Sequence, residues 1–162
     1  LLDELYQDLI LDHYRRPRNY GPLAGADRRV ERTNPLCGDR IAVEVKIEGG
    51  RLAACRFYGH GCSISQASAS LMTEQVHGKS IDEARALVAR FRELLSGEAS
   101  AKAAADLGEL AALRAVAQFP VRLKCALLAW NALEAALGGQ DDAKGVAKSE
   151  TGSVFSDPAR GL

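Results

Sequence analysis

The sequence lacks most of the features that would assign it quickly. Neither sign of charge is in excess, with 21 Lys and Arg against 21 Asp and Glu. No overall field therefore draws in nucleic acid or an anionic membrane, and neither is expected as a partner. No run approaches the roughly 20 apolar residues that span a bilayer, and the start lacks the basic flank and apolar centre of a secretory signal. A soluble, cytoplasmic protein is expected. Walker loops, GxGxxG turns, a Ser/His/Asp order and internal repeats are all missing. Cysteine is sparse: Cys37, Cys55, Cys62 and Cys125 are too thinly spread for the disulfide framework of a small secreted domain and form no CxxC knuckle. In a reducing cytosol, metal binding or thiol chemistry is the use to look for.

What is present reads as one domain. A chain of 162 residues can bury roughly 70% of its unfolded surface. Leu2, Leu5, Tyr6, Leu9 and Ile10 fall at helical spacing with His13 on the same face, and Pro17 ends the pattern. Residues 20–27 are loop, rich in Gly, Pro and Ala, and Arg29–Thr33 reads as a short strand. Ile41, Val43, Val45 and Ile47 alternate with Ala42, Glu44 and Lys46, the period of a strand with one buried face. Gly49-Gly50 then turns the chain into a second run over Leu52–Tyr58, giving an antiparallel hairpin. Beyond Gly59 the pattern turns helical up to Gly78. A second helix follows the capping-box residues Ser80 to Glu83. A shorter Ala-rich helix is predicted over about Asp106–Ala117, and a last one from Pro120 to Gly138. These elements predict an α+β domain over 1–138, a small antiparallel three-stranded sheet packed against about five helices. Residues 139–162, polar and Gly-rich, are expected to form a flexible tail.

Three of the cysteines sit where chemistry is possible. Cys37 lies in Asn34-Pro35-Leu36-Cys37-Gly38-Asp39, a turn able to aim a thiol and a carboxylate at one ion. An ordinary turn with a buried Cys and an Asp bonding local amides fits the same residues. Cys62, in Gly59-His60-Gly61-Cys62, stands at a strand-to-helix junction whose unpaired amides favour thiolate; it also reads as a small residue under a crowded turn. Cys125 follows Arg122 and Lys124 in the first turns of the last helix, where basic neighbours favour thiolate, although Cys among apolar helical residues is commonly core. Cys55, mid-strand at the parity of Phe57, reads as core. His60, between glycines, reads as pointing to solvent rather than ligating, and the helix dipole accounts for His13 and His77. A basic cluster at Arg15, Arg16 and Arg18 reads as a solvated loop or a partner contact. Three thiols with Asp39 would make a four-donor tetrahedral site of the kind zinc prefers.

The segments LYQDLILDHYRRPRN, NPLCGD, GHGCSISQASASLMT and FPVRLKCALLAW, in that order, resemble the landmarks of the SufU/IscU family, the NifU N-terminal-like proteins of iron–sulfur cluster assembly. The resemblance covers residues 1–137. Within the family the sequence is more similar to the SufU branch. Lys124 stands where IscU-type proteins carry a His before their last site cysteine, and an extra segment runs from about Gly97 to Phe119. The chaperone-binding LPPVK stretch of IscU is replaced by Phe119-Pro120-Val121-Arg122-Leu123-Lys124. The resemblance implies zinc on Cys37, Asp39, Cys62 and Cys125, with Gly38, Gly61, Arg122 and Lys124 organising the site. It implies Cys37 as the sulfur acceptor, a SufS-type cysteine desulfurase as donor and a SufBCD-type scaffold as recipient. Such a protein is a sulfurtransferase-like partner of the desulfurase rather than a stand-alone enzyme. The alternative it implies is a scaffold holding a transient [2Fe-2S] cluster on the same residues; a zinc-stabilised interaction domain without thiol chemistry is a third reading.

Overall fold

The computed structural model describes residues 2–142. In chain order these residues form α1 (Leu2–Arg15), β1 (Arg28–Thr33), β2 (Arg40–Glu48), β3 (Arg51–His60), α2 (Ser63–Val76), α3 (Ile81–Ser96), α4 (Ala101–Asp106), a 3-10 segment (Gly108–Gln118) and α5 (Pro120–Leu137). The three strands form one antiparallel sheet in the order β1-β2-β3, so the α+β architecture expected from the sequence is the one observed. The Ala-rich helix differs from expectation. Ser100 caps a short α4 by accepting the Ala103 amide, and Gly108, at φ +58°, turns the chain into the 3-10 segment. A left-handed residue there interrupts what periodicity reads as one helix.

The sheet lays Val30, Ile41, Val43, Val45, Leu52, Cys55 and Phe57 against the helices, where Phe91 and Trp130 stack at 4.2 Å between ring centroids. The opposite face of β2 is covered too. Ala42 and Glu44 are both buried, and the 20–27 loop reaches this face at Glu44, whose carboxylate accepts the Leu23 amide and the Tyr58 hydroxyl, each at 3.1 Å. Neither sheet edge is left bare. Along β3, the Phe57 amide donates to Asn19 O and the Phe57 carbonyl accepts from Gly21 N. Along β1, the Arg29 and Glu31 amides donate to Asp141 at 3.1 Å and Asp142 at 2.9 Å. Residues just after α5 thus return to cap an edge strand that could otherwise pair with another chain. Most of the expected tail, residues 143–162, lies outside the described residues.

The seam between α2 and α5 positions the site. Ser65, Ala67, Ser68, Ala69 and Ser70 are all buried on α2, and side chains this small let α5 approach closely. Inside the seam the Trp130 indole N–H donates to Ser68 Oγ at 3.0 Å, and that hydroxyl donates to the Ala126 carbonyl at 2.6 Å. Replacing Ser68 by Ala removes the acceptor of a fully buried indole donor. We expect a loss of about 1–3 kcal/mol in unfolding free energy, measured by urea denaturation of the full chain.

Candidate metal centre

Backbone hydrogen bonds close the turn that carries Cys37. Asn34 N–H donates to Asp39 O and Gly38 N–H to Asn34 O, both at 2.8 Å, while the Asn34 side chain accepts the Leu36 amide at 3.1 Å. Gly38 holds φ +76°, which a side chain would disfavour. The turn leaves Cys37 exposed and sends the Asp39 carboxyl inward, where the residue is 5% exposed.

Strand register brings Cys62 to the same place. Arg40 pairs with His60 and Ile41 with Gly59, so Asp39 and the Gly61-Cys62 corner are neighbours across the hairpin. A Cβ on Gly59 would stand 2.0 Å from the Arg40 carbonyl oxygen, and one on Gly61 would stand 3.2 Å from the Asp39 carboxyl carbon. Only glycine permits this approach. Cys62 is the N-cap of α2, yet its thiol makes no capping bond; its amide donates to Asp39 Oδ1 at 3.3 Å. From the opposite side, Pro120 opens α5 and the buried Cys125 places Sγ 3.6 Å from Cys37 Sγ.

Cys37 Sγ, a carboxylate oxygen of Asp39 and Cys125 Sγ lie within 4.8 Å of one another, close enough to share an ion. Cys62 Sγ falls outside that common span but borders it, bearing on the Cys125 thiol. Asp39 Oδ2 is buried and has no hydrogen-bond partner, the one such side-chain atom among the described residues. Burial, followed by the neighbouring Cys37, Asp39 and Cys62 side chains, pushes the Cys125 thiol up from its ordinary value. A buried carboxylate oxygen without a hydrogen-bond partner beside crowded thiols is a donor set that fits a divalent metal.

Residues 5–126 match the NifU-like N terminal domain family. The chain belongs to that family. Over 152 residues this NifU-like chain is 43% identical to the zinc-dependent sulfurtransferase SufU of Bacillus subtilis (strain 168), covering 94% of this chain and 96% of that one. It is 44% identical over 136 residues to the iron-sulfur cluster assembly scaffold protein IscU of Streptococcus pyogenes serotype M1, covering 84% of each. A crystal structure of a putative iron-sulfur cluster assembly scaffold protein for the SUF system from Fervidobacterium islandicum AW-1 superposes with a TM-score of 0.75 at 32% identity, over 83% of this chain and 97% of that one.

Other residues of this NifU-like domain fall into place around the centre. Arg122 and Lys124 are exposed on α5, and neither side chain makes a hydrogen bond or ion pair among the described residues. Cys55 is core, as its parity predicts, and burial pushes its thiol up to about 12. His60 is exposed at the end of β3. Arg16 and Arg18 both close on Asp12, at 2.5 and 2.6 Å, so two members of the basic cluster are paired within the chain. Sequence reasoning passed over Asn34, whose side chain both holds the turn and lies 4.0 Å from Cys125 Sγ; its place before Pro35 was the available signal. His13 differs from its helix-dipole reading. It is 1% exposed, packed on α2, and burial followed by the Arg18 charge holds its imidazole below the ordinary value.

Asp39→Asn keeps an acceptor for the Cys62 amide and turns the unpartnered atom into a donor facing thiols. In metal-free protein we expect stability to rise, by up to about 1–3 kcal/mol. With one equivalent of zinc added, the gain in melting temperature should shrink relative to wild type; calorimetry with and without metal measures both.

Proposed function

We propose that this chain is a zinc-dependent sulfur acceptor in iron–sulfur cluster biogenesis. It takes persulfide sulfur from a SufS-type cysteine desulfurase and passes it to a SufBCD-type scaffold. The observation that carries this reading is the asymmetry of the donors: Cys37 is exposed while Cys125 and Asp39 beside it are buried. A purely structural site has no use for an exposed ligand. A sulfur acceptor must reach the donor with one. Its similarity to a protein named zinc-dependent sulfurtransferase supports the reading, and Lys124 and the 97–119 segment favour the SufU branch. Four free cysteines fit a reducing cytoplasm.

Cys37, Asp39, Cys62 and Cys125 would hold the zinc, which when bound keeps the thiols deprotonated at neutral pH. The transfer itself needs no redox partner. The Cys37 thiolate attacks the outer sulfur of the donor's persulfide, a new S–S bond forms at Cys37, the donor's S–S bond breaks, and the donor cysteine leaves as thiolate. Gly38 supplies the backbone freedom for Cys37 to move, while the inward-facing Asp39 and the helix-borne Cys125 keep their places. Leu36, Phe119 and Val121, all exposed apolar residues on the two segments flanking the thiols, offer a docking rim from which the donor excludes water. Arg122 and Lys124, exposed on the same turn, serve partner contact or guide the persulfide charge.

A scaffold holding a [2Fe-2S] cluster on the same residues is the second reading. It is favoured by the likeness, at similar identity over a shorter span, to a protein named as a scaffold. Metal and labile-sulfide content of anaerobically purified protein separates the two. About one zinc per chain without sulfide supports sulfur transfer, and iron with matching sulfide supports the scaffold. In the transfer assay, wild type incubated with desulfurase and cysteine should gain one sulfur on Cys37 by mass spectrometry. With Cys37→Ser that gain should vanish, and desulfurase turnover should fall at least about tenfold, ~1.4 kcal/mol in barrier.

A further inference from the structure

A second cluster of metal-ligating side chains forms far from the cysteines. His13 at the end of α1, Glu74 on α2 and Glu109 in the 3-10 segment each offer one ligand atom within 4.8 Å of the others. His13 Nε2 lies 3.6 Å from a Glu74 carboxylate oxygen and 3.9 Å from one of Glu109. These separations are too long for hydrogen bonds. Adjacent nitrogen and oxygen ligands about 2.1 Å from a shared six-coordinate ion sit about 3.0 Å apart, so shifts of under about 1 Å would close the set.

The imidazole is built in rather than adventitious. It is 1% exposed, and Nδ1 is held by Ser70 Oγ at 2.7 Å, an oxygen that also accepts the Arg18 amide at 2.9 Å. The Ser70 contact is compatible with either tautomer; in the one where Nδ1–H donates to Ser70, the ring's lone pair is at Nε2, the atom that faces the two carboxylates and makes no hydrogen bond among the described residues. Fixing the tautomer through the far nitrogen is how metal-binding histidines are oriented. Glu109 is placed with equal care: Gly108 turns the chain before it, and the buried Leu107 and Leu110 anchor either side. The nearby Arg18 charge is matched by Asp12 at 2.6 Å, so it does not neutralise the two glutamates. Both carboxylates are partly exposed, at 41% and 56%, which leaves the outer coordination positions to water. Cys62 and Glu74 stand toward opposite ends of α2, about 18 Å apart along the helix.

We propose that His13, Glu74 and Glu109 form a second divalent-cation site, distinct from the thiol centre and suited by its nitrogen and oxygen donors to Mn(II), Fe(II) or Co(II). It does not depend on the sulfur-transfer reading. Mn(II) is the probe of choice, because thiolates compete poorly for it. Zinc-loaded full chain is titrated with Mn(II), and the loss of the free-ion signal is followed by electron paramagnetic resonance. Wild type should bind one equivalent, with 14N coupling from an imidazole in spin-echo modulation. Glu74→Gln with Glu109→Gln should weaken binding at least tenfold, whereas the charge-matched pair Asp82→Asn with Glu93→Gln on α3 should leave it within twofold. His13→Gln should abolish the 14N coupling. No stoichiometric binding, equal weakening by both double variants, or wild-type binding without 14N coupling would overturn the proposal. The two glutamates are exposed, so their variants remain informative even if His13→Gln fails to fold.

Discussion

Trp130 must satisfy an indole N–H in the middle of an apolar core, and the way it does so sets the spacing of α2 and α5. The acceptor is Ser68 Oγ, and the same hydroxyl donates to the Ala126 carbonyl one turn back along α5. A side chain larger than serine would push the helices apart; an alanine would leave the indole donor stranded at a cost of about 1–3 kcal/mol. This single bridged contact fixes the rotation of α5. That rotation puts Cys125, adjacent to Ala126, at the inner wall of the thiol cluster while Lys124 faces out.

The hairpin supplies the other wall by register. A slip of one residue in an antiparallel pair would exchange the faces of β2 and move every side chain to the wrong layer. The alternation of Ile41, Val43 and Val45 therefore indirectly fixes where Asp39 and Cys62 meet. Gly59 makes the meeting possible, since its Cβ would collide with the backbone of Arg40. The burial cost of Asp39 is accepted here, and its unpartnered oxygen keeps a strong donor poised beside the thiols. Functional sites are where such local violations of good packing are expected.

Much of this was legible in the sequence for physical reasons that can be named. Strand alternation and helix periodicity located the hairpin and the long helices to within a residue or two, except that α2 starts at Ser63 rather than just after Gly59, and the Ser80–Glu83 pair announced a capping box that the structure contains. The Pro and Gly residues around Cys37 and Cys62 marked tight turns, and Cys37, Asp39 and Cys125 do converge. Other features escaped because they rest on long-range contact. Glu44 meets a loop some twenty residues earlier, and the break at Gly108 is a left-handed turn inside a run whose composition favours helix. His13 shares the apolar stripe of α1, but nothing local says that Ser70 and two glutamates will surround it. Periodicity names a face; it does not name what the face will touch.

The domain builds its core without help from the thiol centre. Phe57, Phe91, Trp130 and the leucines around them are buried by the sheet and helices alone, unlike the smallest metal-dependent folds, in which ion binding is the folding free energy. A ligand at [L] = 100 Kd adds only about 2.7 kcal/mol of stability by mass action, a fraction of the roughly 5–15 kcal/mol a domain commonly holds. One ligand can therefore leave the set without unfolding the chain. In the proposed transfer the donor best placed to leave is Cys37, because it is exposed beside Gly38, while Asp39 is held by the hairpin and Cys125 lies in the α2–α5 seam. Under the proposed function, stability and reactivity would fall to different residues of one cluster: the buried Asp39 and Cys125 would hold the ion while the exposed Cys37 reacts.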